Sequence, residues 1–416
     1  MSKIRQYFST LELIRGFLSA LFGSLFIYLE YFNLSSPLAN TILALLSLYL
    51  LLKNGIQVWF FYGAFTSLFW FWWVSMSLIQ YDLIWLIPLE IIFLMLIYGT
   101  IFAFFAWISH QSCSVFIQLL IKSLVLLGIS YIHPFSFDWF KPELMFTDTP
   151  FGILKWQFGV ILLSLSATIW RKRVLYLFCV FFAYQPITAS IEEVPKDIML
   201  VTTQTGVKDK WNKTLQKTQF NKIFQAIDTA IDANKTLIIF PESVFPLYLK
   251  RTPKVYTPLL EKSKQIDIIV GGLSWKNKHP YNSTYFFHQN TVTIADKVVL
   301  VPFGESNPLP QFLSDWVNEV FYDGAVDYLP SEEVTDFNIS GKLYRNAICF
   351  EATSEKLYEG NPKNMIVISN NGWFTPSIEP NLQKILLRYY HKKYHTNIYH
   401  STNMSPSYVI LNEHND

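Results

Sequence analysis

Apolar positions run almost unbroken through the first 190 residues, then from 198 onward come in short bursts separated by polar stretches. A bilayer core needs roughly 20 apolar residues per helical crossing. Runs of that kind lie at about 15–32, 37–53, 56–80, 84–108, 114–133, 152–170 and 173–190, which predicts seven membrane spans. The first run lacks a small-residue cleavage site and leads straight into the second, so it reads as an anchor and not as a removed leader. "WFWWVS" (Trp70 to Ser75) fits an aromatic belt or helix packing.

Beyond Ile198 the period changes. "IMLVTT" (198–203), "TLIIF" (236–240), "IDIIVGG" (266–272), "LYRNAICF" (343–350) and "MIVISN" (365–370) read as buried strands. Between the first two, "FNKIFQAIDTAI" (220–231) places Phe220, Ile223, Phe224, Ile227 and Ile231 on one helical face. Apolar strands alternating with helices predict a layered α/β domain. The expected organisation is an all-α polytopic membrane bundle over 1–190 and an α/β domain over 191–416.

Charge sharpens that division. Residues 1–190 carry 17 Asp, Glu, Lys or Arg, and residues 191–416 carry 47. With 23 basic and 24 acidic residues, the second part lacks the basic surface that nucleic-acid binding requires. Its lysine clusters near 208–217 and 250–264 read as solvated faces. Lys3 and Arg5, Lys53, and Arg171, Lys172 and Arg173 fall on one side of an alternating seven-span topology. Positive loops stay in the cytoplasm, so an odd number of crossings delivers the α/β domain outside. Glu30 and Glu90, at or within apolar runs, are expected to face protein, water or the interface.

Candidate chemistry sits at strand ends. Of the three cysteines, Cys113 and Cys179 lie in apolar segments, and their spacing suggests neither a disulfide framework nor a zinc site. Cys349 ends an apolar strand with Glu351 two residues on. "TLIIF" runs directly into Glu242, and "DKVVLVPFGESNPL" carries Lys297 and Glu305. A lone glutamate or lysine there is usually a surface group; three such strand ends together favour a catalytic cluster held at the rim of a sheet. The histidines, His279 and His288 among them, have no supporting motif for a Cys–His site and no ligand spacing, so no metal is expected.

At these residues the sequence resembles the nitrilase (carbon–nitrogen hydrolase) superfamily, and within it the apolipoprotein N-acyltransferase family. "FPES" matches the block holding the general base, "KVVLVPFGE" the block of the triad lysine, and "ICFE" the nucleophile block. "SNNGWF" (369–374), with Asn371, resembles the segment after the nucleophile strand. The resemblance implies an αββα sandwich after a helical membrane bundle, with Glu242, Lys297 and Cys349 as a catalytic triad. Glu305, Glu351 and Phe350 are implied as supporting groups; Phe350 stands where tyrosine is common. Trp211, in "TGVKDKW", looks like a substrate-site aromatic. In "FLSDWVNEVF" (312–321) Trp316 shares an apolar helical side with Phe312, Leu313, Val317, Val320 and Phe321. That segment and "VFPLYLKR" (244–251) are expected to form an interfacial lid or arm, with core packing as the alternative.

The activity so implied is transfer of an acyl chain from a phospholipid to the N-terminal amine of a diacylglyceryl-cysteine apolipoprotein, through a Cys349 thioester and without a cofactor. The implied location is the bacterial inner membrane, multi-pass, with the catalytic domain on the periplasmic side, and a monomer is expected. A membrane-tethered amidase acting on a small amide is the alternative enzyme, and a non-catalytic receptor or transporter the alternative without chemistry.

Overall fold

The computed structural model describes residues 9–187, 190–307 and 327–413, and these divide into two compact units. One holds the chain up to His133 with Asp138–Ile187 and Pro376–Tyr389; the other holds Pro134–Phe137 and the remainder of the second half.

The first unit is helical: α1 (Thr10–Tyr31), α2 (Pro37–Lys53), α3 (Ile56–Phe71), α4 (Ile87–His110), α5 (Val115–Gly128) and α6 (Lys155–Arg171). Local chemistry sets the starts. Ser9 and Glu12 cap α1 reciprocally, the Ser9 hydroxyl accepting from Glu12 N–H at 3.2 Å while Ser9 N–H donates to the Glu12 carboxylate at 3.1 Å. Ser36 caps α2, and Pro37 occupies its first turn, where no N–H is needed. Packing then uses small polar groups. Ser19 and Ser47 each donate to the other's carbonyl, at 2.8 and 2.7 Å, and Trp70 Nε1 donates to Ser24 Oγ at 3.0 Å. Trp70 and Trp73 are buried, so "WFWWVS" is helix packing. Gly63 lets α3 and α4 approach, since a Cβ there would lie 2.5 Å from the Tyr98 carbonyl oxygen.

The seven apolar runs differ in the helices they form. Among the described residues only Thr10–Tyr31 and Ile84–His110 are helices long and apolar enough to span. The seventh run forms a ten-residue 3₁₀ helix, Val174–Ala183. At about 2.0 Å per residue this 3₁₀ stretch is about 20 Å long. Hydropathy averaged over a window measures apolar content and is blind to the kind of helix that content makes.

The helix α9 (Glu379–Tyr394) supplies Arg388 to this unit, where its guanidinium meets Glu30 and Asp148, each at 2.9 Å. All three side chains are mostly shielded from solvent. Arg388→Met strands two carboxylates and is expected to destabilise by about 2–3 kcal/mol, the buried-pair cost discounted for partial exposure. Thermal unfolding in detergent micelles checks this. Adding Glu30→Gln and Asp148→Asn should recover part of the loss, because no unpaired charge then remains.

The second unit contains two five-stranded sheets. One runs in the order β1 (Ile198–Leu200), β2 (Leu237–Ile239), β3 (Asp267–Lys276), β4 (His279–His288), β5 (Thr291–Asp296). The other is β10 (Tyr408–Ile410), β9 (Asn397–Asn403), β8 (Asn364–Asn370), β7 (Lys342–Ile348), β6 (Asp336–Ile339). In each, three parallel strands are extended by antiparallel neighbours.

Strand alternation builds the layers. Leu237, Ile239 and Ile269 point into one core with Ile348, Ile366, Ile368 and Tyr399 of the opposite sheet. Ile238, Ile268 and Val270 point the other way, against Ile223 and Ile227 of α7 (Lys213–Asp232) and Val255 and Leu259 of α8 (Pro253–Lys262). Each fully buried aliphatic side chain contributes about 1.5–3 kcal/mol. Tyr390 and Tyr394, in the last turn of α9, stack near-parallel with Tyr358. "VFPLYLKR" belongs to this packing: Val244, Phe245 and Leu249 are buried, so the segment is core and not an interfacial arm. Residues 312–321, with Trp316, lie outside the described residues.

Candidate active site

The cluster forms where three strands of the sandwich end. Past β2 the chain continues through Phe240 and Pro241 to Glu242; β5 hands directly to Lys297; β7 ends at Ile348, before Cys349. Gly271 on β3 makes room for the first, since a Cβ there would sit 2.4 Å from Ser243 N and 2.7 Å from Glu242 Cα. Cys349 takes a left-handed backbone, φ +54°, as a strand turns into a short 3₁₀ helix. Such a conformation in a side-chain-bearing residue costs about 1–3 kcal/mol and is retained where the surroundings enforce it.

Lys297 is 1% exposed, its Nζ 2.7 Å from Glu305 Oε2 and 3.9 Å from Glu242 Oε1. Burial alone would lower its pKa. Glu305, Glu242, Cys349 and Glu351 together outweigh burial and hold the ammonium above the ordinary lysine range. Asn282, on β4, bridges the two carboxylates: its Nδ2 donates to Glu242 Oε1 and Glu305 Oε1, both at 2.7 Å. Glu305 Oε2 also accepts from Val301 N–H at 2.9 Å. Tyr328 stays protonated, by burial first and then by the charges of Glu305 and Glu242.

Glu351 is wholly buried and does a different job. Its Oε2 accepts from Val298 and Val299 N–H at 2.7 and 3.1 Å, and its Oε1 from Ile348 N–H at 2.7 Å. One carboxylate thus ties the chain after Lys297 to the chain before Cys349. Burial pushes it up to about 7, while Lys297 and the three backbone donors pull the other way.

Glu242 and Glu305 therefore come together around Lys297, on which Cys349 and Glu351 also act electrostatically. Phe350 is buried and stacks on Phe137, ring centroids 5.8 Å apart at 16°. Trp211 is 45% exposed at the end of the helical turn Val207–Lys210. Asn371 is buried instead, its Nδ2 donating to Ser405 Oγ at 3.0 Å.

Sequence reasoning passed over Asn282, Phe137 and Lys210. Asn282 leaves a trace, as a polar residue at a buried position of an aromatic-rich strand. Phe137 leaves none, lying between apolar runs far from the cluster in sequence. Lys210 departs from the reading of 208–217 as a solvated face, which the exposed Lys208, Lys213 and Lys217 keep. It is 4% exposed, and its Nζ donates to the Glu242 carbonyl oxygen at 3.1 Å.

Comparison with known proteins adds a family. The apolipoprotein N-acyltransferase integral membrane domain matches residues 10–187. A protein of Wolinella succinogenes named apolipoprotein N-acyltransferase is 40% identical over 402 residues, covering 94% of this chain and 95% of its own. One of the same name from Helicobacter pylori is 34% identical over 379 residues, covering 89% and 87%. Among solved structures, a CN-hydrolase superfamily protein of Xanthomonas campestris aligns at 12% identity and a TM-score of 0.38, over 52% of this chain and 77% of that one.

Proposed function

The chain belongs to the apolipoprotein N-acyltransferase family and is an acyltransferase with a membrane domain, and on that premise we propose a two-step transfer through Cys349. The donor is a phospholipid and the acceptor the α-amine of a diacylglyceryl-cysteine apolipoprotein. An ester and an amine exchange too slowly unaided, and a nucleophile divides the barrier into two smaller ones.

In the first step Glu242 takes the thiol proton and the Cys349 sulfur adds to the ester carbonyl. Lys297 and the Phe350 N–H hold the resulting oxyanion. One such donor contributes about 3–4 kcal/mol in a water-poor site. The C–O bond breaks, the lysophospholipid oxygen takes the proton from Glu242, and the acyl group remains as a thioester. In the second step the acceptor amine adds to that thioester and gives its proton to Glu242. The C–S bond breaks, the amide leaves, and Glu242 returns the proton to sulfur. Glu305 and Asn282 keep Lys297 and Glu242 in register throughout.

The observation that carries this reading is Lys297, buried between two carboxylates and coupled to the thiol. The distribution of Lys and Arg at 3, 5, 53 and 171–173 supports an inner-membrane protein with its catalytic unit on the periplasmic side. The test is mass spectrometry of the full chain incubated with phospholipid alone. An acyl adduct on the Cys349 peptide is expected, absent in Glu242→Ala and Lys297→Ala. Turnover with Cys349 never acylated would sink the mechanism.

A further inference from the structure

Counting charge around Cys349 exposes an imbalance. Lys297 is already committed, at 2.7 Å from Glu305 and 3.9 Å from Glu242, and Glu351 is a third carboxyl within its field. Ionising the thiol adds a further negative charge to a pocket whose carboxyls outnumber that single ammonium. Like charges in a shared buried site raise the pKa of whichever group ionises last. With Lys297 alone, that group would be the nucleophile, and a thiol is reactive only as thiolate.

Lys210 is a second ammonium in the same place. It ends the helical turn Val207–Lys210, is 4% exposed, and donates from Nζ to the Glu242 carbonyl oxygen at 3.1 Å. Its charge interacts favourably with both the Glu242 carboxylate and Cys349. A buried ammonium is costly unless something nearby uses its charge. The charged and titratable groups of this cluster are then Glu242 after β2, Lys297 after β5, Glu305, Glu351 on the nucleophile's own turn, protonated Tyr328 beside the carboxylates, and Lys210, with Cys349 acting on both ammonium groups.

We propose that Lys210 is a positioning residue of the acyl-transfer site: it pins the Glu242 loop through the main chain and supplies the second cation that keeps the Cys349 thiol ionisable near neutral pH. The inference rests on Cys349 being the nucleophile. Burial lowers Lys210 to about 8, with Glu242 and Cys349 opposing the shift, so the cation is present at neutral pH and fades as pH rises past that value.

The experiment follows iodoacetamide alkylation of Cys349 against pH, on the full-length protein in detergent micelles, read on the Cys349 peptide by mass spectrometry. Peptide-level reading separates Cys349 from Cys113 and Cys179. The wild-type midpoint should fall below the free-thiol value of about 8.5. Lys210→Gln keeps a hydrogen-bond donor but no charge, and should raise that midpoint by about one unit, slowing alkylation at pH 7 roughly tenfold. Lys210→Arg should stay near wild type. Lys210→Met should match Lys210→Gln, and where it unfolds the Gln variant decides alone. A low wild-type midpoint unmoved in Lys210→Gln overturns the role of Lys210 and leaves the thioester reading standing. A wild-type Cys349 with an ordinary midpoint overturns both.

Discussion

Lys297→Met should reduce acyl transfer at least about a thousandfold and also weaken the fold, because one side chain serves both purposes. On the proposed mechanism the oxyanion loses its cationic donor, a change that costs about 10²–10³ in rate by itself. The second loss comes from what remains. Glu242 and Glu305 both accept from the same Asn282 amide, and without the ammonium they face each other in a buried pocket. Their mutual repulsion is then uncompensated and disturbs the placement of Glu242, the proposed base. Removing one partner of a buried ion pair costs about 3–5 kcal/mol of stability, so the unfolding midpoint should drop together with activity. Lys297→Arg is not expected to restore either, since a planar guanidinium does not fit a pocket shaped around a compact ammonium. The measurements are phospholipid-dependent Cys349 acylation and thermal unfolding in micelles. A Lys297→Met protein that acylates at a tenth of the wild-type rate would remove Lys297 from the chemistry.

The residues that were legible in the sequence share one property: their surroundings are apolar and periodic. Leu237 to Ile239 and Met365 to Ile368 announce buried strands, and Glu242 and Cys349 stand out because each interrupts such a run at its end. β9 was invisible for the opposite reason. Its seven residues, "NIYHSTN", are all buried yet mostly polar. They are satisfied by partners far away in sequence: Ser401 donates to the Val201 carbonyl at 2.7 Å, and Asn403 Nδ2 to Asn370 Oδ1 at 2.7 Å. Polar burial of this kind depends on tertiary pairing, which local pattern does not encode. Lys210 is the same case inside the site. Set among Lys208, Asp209 and Lys213 it looks like ordinary solvated surface, and only the fold puts Glu242 over its amine. In the membrane half the apolar runs were legible, while the 3₁₀ form of Val174–Ala183 was not.

Glu351→Gln is expected to lose most activity while leaving the side chains of Glu242, Lys297 and Cys349 in place, and its effect on stability should shrink as pH rises. Three backbone donors meet the two oxygens of Glu351, Val298 and Val299 on one and Ile348 on the other. Glutamine has one acceptor oxygen, so its NH₂ must confront at least one of those N–H groups. A buried donor left without a partner costs about 1–3 kcal/mol. Because these donors fix the chain beside Lys297 and Cys349, a displacement of about 1 Å suffices for a loss near a hundredfold. The pH dependence follows from linkage. Burial raises Glu351 to about 7 in the folded state from 4.5. The folded protein therefore binds a proton more readily than the unfolded chain between those values. The group's contribution is fully present below about 4.5 and is lost as pH climbs through about 7, a change of about 3 kcal/mol at most. Glutamine has no such slope. The gap in unfolding midpoint between wild type and Glu351→Gln should be widest near pH 5 and narrowest near pH 8. A gap that widens with pH would mean that Lys297 and the three N–H donors hold Glu351 ionised despite burial, and that its carboxylate, not its acid form, closes the site.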